Sequence, residues 1–345
     1  MSGGVDSSVA ALLLKREGHE VVGMTLDLRT GDPRDSAGRT AARAQKDAEK
    51  TAEMLGIPFR LIDCRDRFRD IVVNNFIETY AKNETPNPCV LCNRSIKFDR
   101  LLEEVRQMGA DFLATGHYAN LDREKGIYHI LKGSDPKKDQ SYFLYRLNQE
   151  QLSRAVFPLG RYRKEEVREI AEQFALPVAD KPESQDVCFL GSDDYRAFLR
   201  ERGKLKSTAG PIITSQGEIL GEHDGLQNYT VGQRRGLGVS YREPLYVLAL
   251  EGKSNALVVG TAAERERSSL SATDLSFTDG KMPKSPIDIE VKIRYSAKAT
   301  AARLKPFGEN RVDLEFDRPV LDATPGQSVV FYRGDRLLGG GFILP

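Results

Sequence analysis

The sequence predicts an α/β region built on a parallel sheet, followed by two smaller β units. Three observations carry that expectation. A glycine- and serine-rich stretch, Ser2-Gly3-Gly4-Val5-Asp6-Ser7-Ser8, stands directly before an apolar run. Strand-like alternation and helical periodicity then trade places as far as about residue 203, the rhythm of βα units over a parallel sheet. Beyond Lys204 helical periodicity fades, and short β-branched runs alternate with glycines and Pro-Gly turns. With 345 residues the chain exceeds one ordinary core. We divide it at 1–203, 204–275 and 276–345.

The opening stretch reads as a phosphate cradle. Gly3 and Gly4 let backbone approach an anion, and Ser7 and Ser8 sit where helix-start N–H groups and the positive dipole end converge. No lysine follows, so it is not a Walker loop. On composition alone a plain turn with an N-cap explains it equally well. A loop of this kind normally follows a buried parallel strand, yet only Met1 precedes it. Either the start is assigned to an internal methionine, or the sheet lacks a central strand and leaves a hydrogen-bond ladder open.

Residues 9–14 read as a buried helix, 20–28 as a strand, 40–55 as a helix closed by Gly56, 59–63 as a strand and 67–80 as an amphipathic helix. A proline-punctuated loop at 83–93 precedes a helix at 96–108 and a strand at 111–115. The tight Gly116-His117 turn then falls at a strand's carboxyl end, where α/β sheets hold ligands. Helical pattern continues through 139–147 and 164–174, an irregular stretch at 180–191 follows, and a further helix covers 193–202. Short β runs occupy 211–214, 245–250 and 256–260. Strict alternation at 287–295, 311–316 and 328–332 suggests a small barrel or sandwich.

A hydrophobic fraction of 40% is that of a globular protein. No stretch of about 18 uncharged apolar residues and no basic-then-apolar leader is present, which places the chain in the cytoplasm with no membrane partner. A net charge of +1 argues against a uniformly basic nucleic-acid surface, leaving local patches such as Arg94, Lys97 and Arg100.

Four cysteines, Cys64, Cys89, Cys92 and Cys188, are too few and too uneven for a disulfide scaffold. Cys89 and Cys92 form a C-x-x-C within Asn87-Pro88-Cys89-Val90-Leu91-Cys92-Asn93. They can bind a metal, form a redox pair, act as nucleophile and neighbour, or simply pack as small hydrophobes. Cys188 lies in the polar run Ser184-Gln185-Asp186-Val187-Cys188-Phe189. Cys64 ends an apolar strand and reads as inert packing. His19, His129 and His223 read as surface or loop residues, and Arg163, Lys164 and Arg168 as a solvated helix face.

The loop S-G-G-V-D-S-S resembles that of the ATP pyrophosphatase superfamily. A closer resemblance runs end to end: Thr85-Pro86-Asn87-Pro88 with Cys92-Asn93, Ala114-Thr115-Gly116-His117-Tyr118, Lys138-Asp139-Gln140-Ser141-Tyr142-Phe143-Leu144 and Cys188-Phe189. Gly232 to Gly238, Lys292-x-Arg294-Tyr295 and Pro325-Gly326-Gln327 continue it. Together they are similar to the bacterial tRNA-specific 2-thiouridylase family. The resemblance implies a Rossmann-like, adenine nucleotide alpha-hydrolase-like parallel sheet with helices on both faces, a small β-rich central domain and a C-terminal β-barrel.

It also implies an activity: ATP-dependent 2-thiolation of a tRNA wobble uridine by a tRNA-uridine 2-sulfurtransferase. Met1, Ser2, Gly3, Gly4, Val5, Asp6, Ser7 and Ser8, with Leu26 and Gly116, would hold ATP. Cys188 would carry a persulfide supplied by an upstream sulfur carrier, and Cys92 would be the nucleophile or disulfide partner. Asn87, Pro88, Cys89, His117, Lys138, Asp139, Gln140, Arg294, Tyr295 and Gln327 would meet tRNA. Asp6 orients a magnesium ion or caps the helix. Arg234 and Arg235 add a candidate phosphate contact.

Many relatives carry aspartate where this chain has Cys89. Cys89, Cys92 and Cys188 would then offer three thiolates for an iron–sulfur cluster, and His117 would complete a zinc set. Two other classes remain: an amidating ligase of the argininosuccinate, GMP or NAD synthetase kind, which needs no cysteines, and a tRNA- or metal-binding module without catalysis.

Overall fold

The structure, a computed structural model, describes residues 1–29, 36–183, 187–191 and 194–345. Ser184, Gln185, Asp186 and Asp193 of the predicted segments lie outside the described residues.

Helix α1 (Val5–Arg16) starts straight after the glycine pair and buries Val5, Val9, Ala10, Ala11 and Leu12, with Lys15 and Arg16 at its negative dipole end. Strand β1 (Gly23–Asp27), helix α2 (Ser36–Leu55) and strand β2 (Phe59–Asp63) follow, and β1 and β2 pair in parallel from Gly23↔Phe59 to Asp27↔Asp63. Gly56, at φ +59, stops α2 as expected. Helix α3 (Arg65–Phe68), a wide π turn (Arg69–Val73) and helix α4 (Asn74–Ala81) make up the amphipathic helix expected at 67–80.

The segment read as a loop at 83–93 is only partly one. Helix α5 (Pro88–Cys92) begins there with Asn87 at its N-cap and runs through a π-helical stretch (Asn93–Arg100) into helix α6 (Leu101–Gln107). Pro88 opens the helix because the first helical position has no use for its N–H and suits its fixed φ.

Strand β3 (Leu113–Ala114) precedes a hairpin of β4 (Ala119–Glu124) and β5 (Ile127–Lys132). Helix α7 (Gln149–Ser153), with an Asn148 capping box, leads into strand β6 (Ala155–Val156), which pairs in parallel with β3. The helical pattern at 139–147 is realised only as a 3-10 turn (Ser141–Leu144), because Tyr142 and Tyr145 are drawn into contact with the distal barrel. Helices α8 (Lys164–Gln173) and α9 (Tyr195–Glu201) complete the first region.

Among the described residues the pairs β1–β2 and β3–β6 are not joined to each other. Met1 lies along β1, its amine donating to the Met24 carbonyl and its own carbonyl accepting from Thr25 Oγ1 at 2.7 Å. Two apolar clusters enclose the strands. One joins α1 and α8 with the end of α2. The other gathers Ile62, Leu113 and Ala155 with Phe68, Phe76, Ile96 and Leu102. This is the α/β arrangement the sequence predicts.

Strands β7 (Gly210–Thr214), β8 (Ile219–His223), β9 (Tyr246–Glu251) and β10 (Ala256–Gly260) form a four-stranded sheet over Ile212, Val247, Leu257 and Val259. His223, read as a surface residue, is buried there and engages the Asn255 carbonyl at 3.0 Å.

The last strands are β11 (Glu266–Phe277), β12 (Ile287–Lys292), β13 (Thr300–Phe307), β14 (Arg311–Leu321), β15 (Ser328–Arg333) and β16 (Arg336–Ile343). Their order is β11-β14-β13-β12-β15-β16, and β16 pairs back onto β11, so the sheet closes as a barrel rather than a sandwich. Strand β11 crosses residues 275 and 276, where the sequence division falls; the barrel takes Glu266 onward.

The first region is stitched to the barrel. Strand β5 meets β16 at Leu131↔Arg336. Tyr142 donates its hydroxyl to the Ser328 carbonyl at 2.8 Å, and Arg146 grips Asp274 through two bonds of 2.7 and 2.9 Å.

Candidate active site

The loop before α1 folds on itself as its composition dictates. Ser7 Oγ accepts from Ser2 N–H at 2.9 Å and donates to the Gly4 carbonyl at 3.2 Å; Ser8 Oγ donates to the same carbonyl at 3.0 Å. Gly3 holds φ +67, and a Cβ there would collide with the Ala44 carbonyl of α2. Only glycine fits both demands. Gly116 closes the other side, where a Cβ would stand 2.8 Å from the carbonyl carbon of Asp6 and 2.9 Å from Ser7 N. Leu26 lies near the carboxyl end of β1, next to Thr25, which is bonded to Met1. Loop and Gly116 thus meet in a backbone cradle of the kind that receives phosphates, while Leu26 packs against the cluster of Ile62 and Leu113.

Asp6 neither caps the helix nor stands free. Gly4 occupies the N-cap, while Asp6 Oδ1 accepts from Tyr118 Oη at 2.7 Å and from Lys164 Nζ at 2.6 Å. Lys164, read as a solvated residue, is 6% exposed at the side chain and also meets Glu183 at 3.4 Å. Burial and the Asp6 charge push the Tyr118 phenol far above its ordinary range. Lys181 Nζ donates to the Gly3 carbonyl and to Asp47 Oδ2, both at 2.7 Å. The cations around the loop therefore come from residues far along the chain. No local spacing signals them.

Cys89, Cys92 and Cys188 lie within electrostatic reach of one another. Cys92 is buried at the junction of α5 and the π stretch, while Cys89, one turn earlier, is exposed. Cys188 is exposed on a turn anchored by its neighbour Phe189, whose ring meets Phe68, Phe76 and Phe198 at 5.7, 5.2 and 5.5 Å. Burial pushes the Cys92 thiol up to about 12, and the Cys188 and Cys89 thiolates add to the effect. Cys188 touches solvent yet is ringed by enough protein that desolvation, with Cys89 next, pushes its thiol up to about 11. Lys97 opposes the rise at Cys89, Cys92 and Cys188 alike. Cys64 is buried, as its packing role requires, and burial pushes its thiol up to about 11.

The residues expected to meet tRNA divide in two. Cys89 is exposed, Lys138 and Arg294 are half-buried, and Tyr295 lies tilted over Phe143 at 4.7 Å. Lys138 pairs with Glu183 at 2.6 Å, and Arg294 donates to the Asp322 carbonyl at the barrel edge. The others are buried or hydrogen-bonded within the fold. Asn87 and Pro88 are buried, with Asn87 Nδ2 donating to Ser328 Oγ at 3.3 Å. Gln327 Nε2 donates to the Thr85 and Pro86 carbonyls at 3.2 and 2.8 Å. Asp139 Oδ1 accepts from Gly133 and Ser141 N–H, each at 3.1 Å, and Gln140 Oε1 accepts from Tyr118 N–H at 3.1 Å. His117 is buried beside Thr115 Oγ1, 2.8 Å from Nδ1, and burial holds it well below the ordinary imidazole range.

Among the described residues no group of three or more His, Cys, Asp or Glu side chains is arranged to hold an ion. Neither the three-thiolate cluster of Cys89, Cys92 and Cys188 nor a zinc set with His117 is assembled. Asp6, nominated for magnesium, already spends Oδ1 on a lysine and a tyrosine. Among the described residues no helix is long and apolar enough to cross a membrane.

Family models match across the chain: a tRNA methyl transferase HUP domain over residues 1–192, a tRNA methyl transferase PRC-barrel domain over 196–261 and an aminomethyltransferase beta-barrel domain over 267–343. The chain is 46% identical over 349 residues to the tRNA-specific 2-thiouridylase MnmA of Moorella thermoacetica, covering 99% of this chain and 98% of that one. It is 45% identical over 352 residues to the protein of the same name from Natranaerobius thermophilus, covering 100% and 96%. A solved structure, the U34-tRNA thiolase NcsA from Methanococcus maripaludis with its 4Fe-4S cluster, aligns over 59% of this chain and 64% of that one at 21% identity, with a TM-score of 0.35.

Proposed function

This chain belongs to the tRNA-specific 2-thiouridylase family, and from that membership we propose how its residues carry out the 2-thiolation of tRNA. The reaction is sulfur transfer to a uridine whose 2-carbonyl oxygen is a poor leaving group. ATP supplies the remedy: the uracil oxygen attacks the α-phosphorus, pyrophosphate departs, and the base carries an AMP ester. The cradle of Ser2 to Ser8 and Gly116 binds the nucleotide, with backbone N–H groups and the start of α1 facing the charge that builds on the phosphates. Lys164 and Tyr118 fix Asp6, so the first turn of α1 keeps its place.

Cys188, loaded as a persulfide by a sulfur carrier, presents its terminal sulfur to the activated carbon, and AMP leaves. Cys92 as thiolate then attacks the inner sulfur of Cys188. The sulfur–sulfur bond breaks, 2-thiouridine is released, and a Cys92–Cys188 disulfide remains for an external thiol to reduce. Burial holds both cysteines as thiols in the resting protein, and Lys97 is the nearby charge that favours their ionised forms. The substrate is a wobble uridine, splayed from its loop to reach this centre. Cys89, Lys138, Arg294 and Tyr295, with Arg234 and Arg235 on the central domain, are the exposed or half-buried groups suited to RNA.

One observation carries this reading. Cys188, distant in sequence from the Cys89–Cys92 pair, lies near enough for its charge and theirs to act on one another and to feel Lys97. The test is reconstitution with tRNA, ATP and a persulfide donor, scored by mass spectrometry of the nucleosides. Cys92→Ser and Cys188→Ser are each expected to abolish 2-thiouridine while tRNA binding persists, and Cys64→Ser to be nearly silent. Full thiolation by either of the first two refutes the assignment.

A further inference from the structure

The loop from Ser2 to Ser8 has no basic residue of its own. A triphosphate brings more negative charge than loop N–H groups and one helix end balance. A cation must come from elsewhere, and the fold delivers one to the loop backbone itself. Lys181 Nζ donates to the Gly3 carbonyl at 2.7 Å and pairs with Asp47 at 2.7 Å, with 28% of its side chain accessible. Gly3 is pressed against α2 at Ala44, one helical turn before Asp47. The ammonium therefore stands beside the turn that leads into α1, held by a carboxylate and a peptide oxygen.

Lys181 also heads the segment that leads to Cys188. Two residues on, Glu183 receives Lys138 at 2.6 Å, Lys164 at 3.4 Å and Arg168 at 3.8 Å, and Lys164 reaches back to Asp6. The segment is thus moored to the loop at two points, Lys181 on Gly3 and Glu183 through Lys164.

We propose that Lys181 is a ligand of the ATP phosphates, contributed by the segment that carries Cys188 and held by Asp47 until the nucleotide arrives. The proposal deepens the function above and rests on ATP being the loop's ligand. Phosphate oxygens entering the cradle offer the ammonium a stronger partner than one carboxylate, and rotation about the four-carbon stem is enough to change partners. Nucleotide binding and the placement of Cys188 then share one residue.

The experiment is calorimetric titration of the full chain with ATP, for wild type, Lys181→Met, Lys181→Gln and Asp47→Asn, with melting curves recorded without nucleotide. Lys181→Met is expected to weaken ATP binding about 10- to 100-fold, the worth of one charge-assisted hydrogen bond. Lys181→Gln, able to keep the Gly3 contact without the charge, is expected to lose affinity too. Asp47→Asn removes the competing carboxylate and is expected to tighten binding. A purely structural ion pair predicts the same sign for Asp47→Asn and Lys181→Met. Wild-type affinity in Lys181→Gln, or a loss in Asp47→Asn equal to that in Lys181→Met, overturns the proposal. Failure of the wild-type protein to bind ATP instead strikes the function itself, and the first titration reveals it.

Discussion

Replacing Gly116 by alanine tests the nucleotide cradle with a single methyl group. The new Cβ would lie 2.8 Å from the Asp6 carbonyl carbon, 2.9 Å from Ser7 N and 3.1 Å from Asp6 Cβ. Two of those atoms are backbone, so no side chain can swing away. The loop, or the turn carrying Gly116, must retreat by roughly half an ångström to regain ordinary contact, a strain of about 1–3 kcal/mol. Asp6 is pinned from the far side by Lys164 and Tyr118, so the displacement falls on the first turn of α1. The N–H groups there are the donors offered to phosphate. Misplacing one of them is expected to weaken ATP binding about 10- to 100-fold, with a melting temperature lower by roughly 2–10 °C and tRNA binding unchanged. Ile212→Val, buried in the central sheet far from the loop, serves as the control; it costs about 0.5–1.5 kcal/mol and is expected to leave ATP affinity alone. Calorimetric titration and thermal melts read both quantities. Unaltered ATP affinity in Gly116→Ala refutes the placement of nucleotide against this turn.

Two further outcomes follow from protonation. The Cys188 thiol is pushed up to about 11, so iodoacetamide labelling of the resting protein, followed by peptide mass spectrometry, is expected to be slow near neutrality and to climb with pH toward that value, more slowly still in Lys97→Met. A labelling plateau below the ordinary thiol value of 9.0 refutes the burial argument. His117 is held neutral by burial, its folded pKa lying below the unfolded value of 6.5. Its contribution is complete above pH 6.5 and is lost as pH falls, by up to about 1.4 kcal/mol per pH unit. His117→Asn is expected to flatten that part of the acid slope in denaturant unfolding; identical slopes in the two proteins refute it.

Composition and periodicity determined the α/β region, the switch to β structure after Lys204 and the strand at Phe59–Asp63, because apolar spacing is local and survives folding unchanged. The loop glycines were legible for the same reason: a positive φ at Gly3 and a close approach at Gly116 are demands that one residue type meets. Cys92 and Cys188 could be nominated as chemistry-bearing groups from residue type alone.

What lay beyond the sequence is what distance in the chain conceals. Asn87 and Gln327 read as polar candidates for RNA, and each also makes a hydrogen bond between the segment at 85–88 and the barrel, a pairing that exists only once the two are docked. Lys164 read as a solvated residue and Lys181 carried no local signal, yet both bring positive charge to a loop that has no cation of its own. Tertiary structure decided those roles because a polar side chain is satisfied by whichever partner comes within 3 Å or so, and which partner does so is settled by packing.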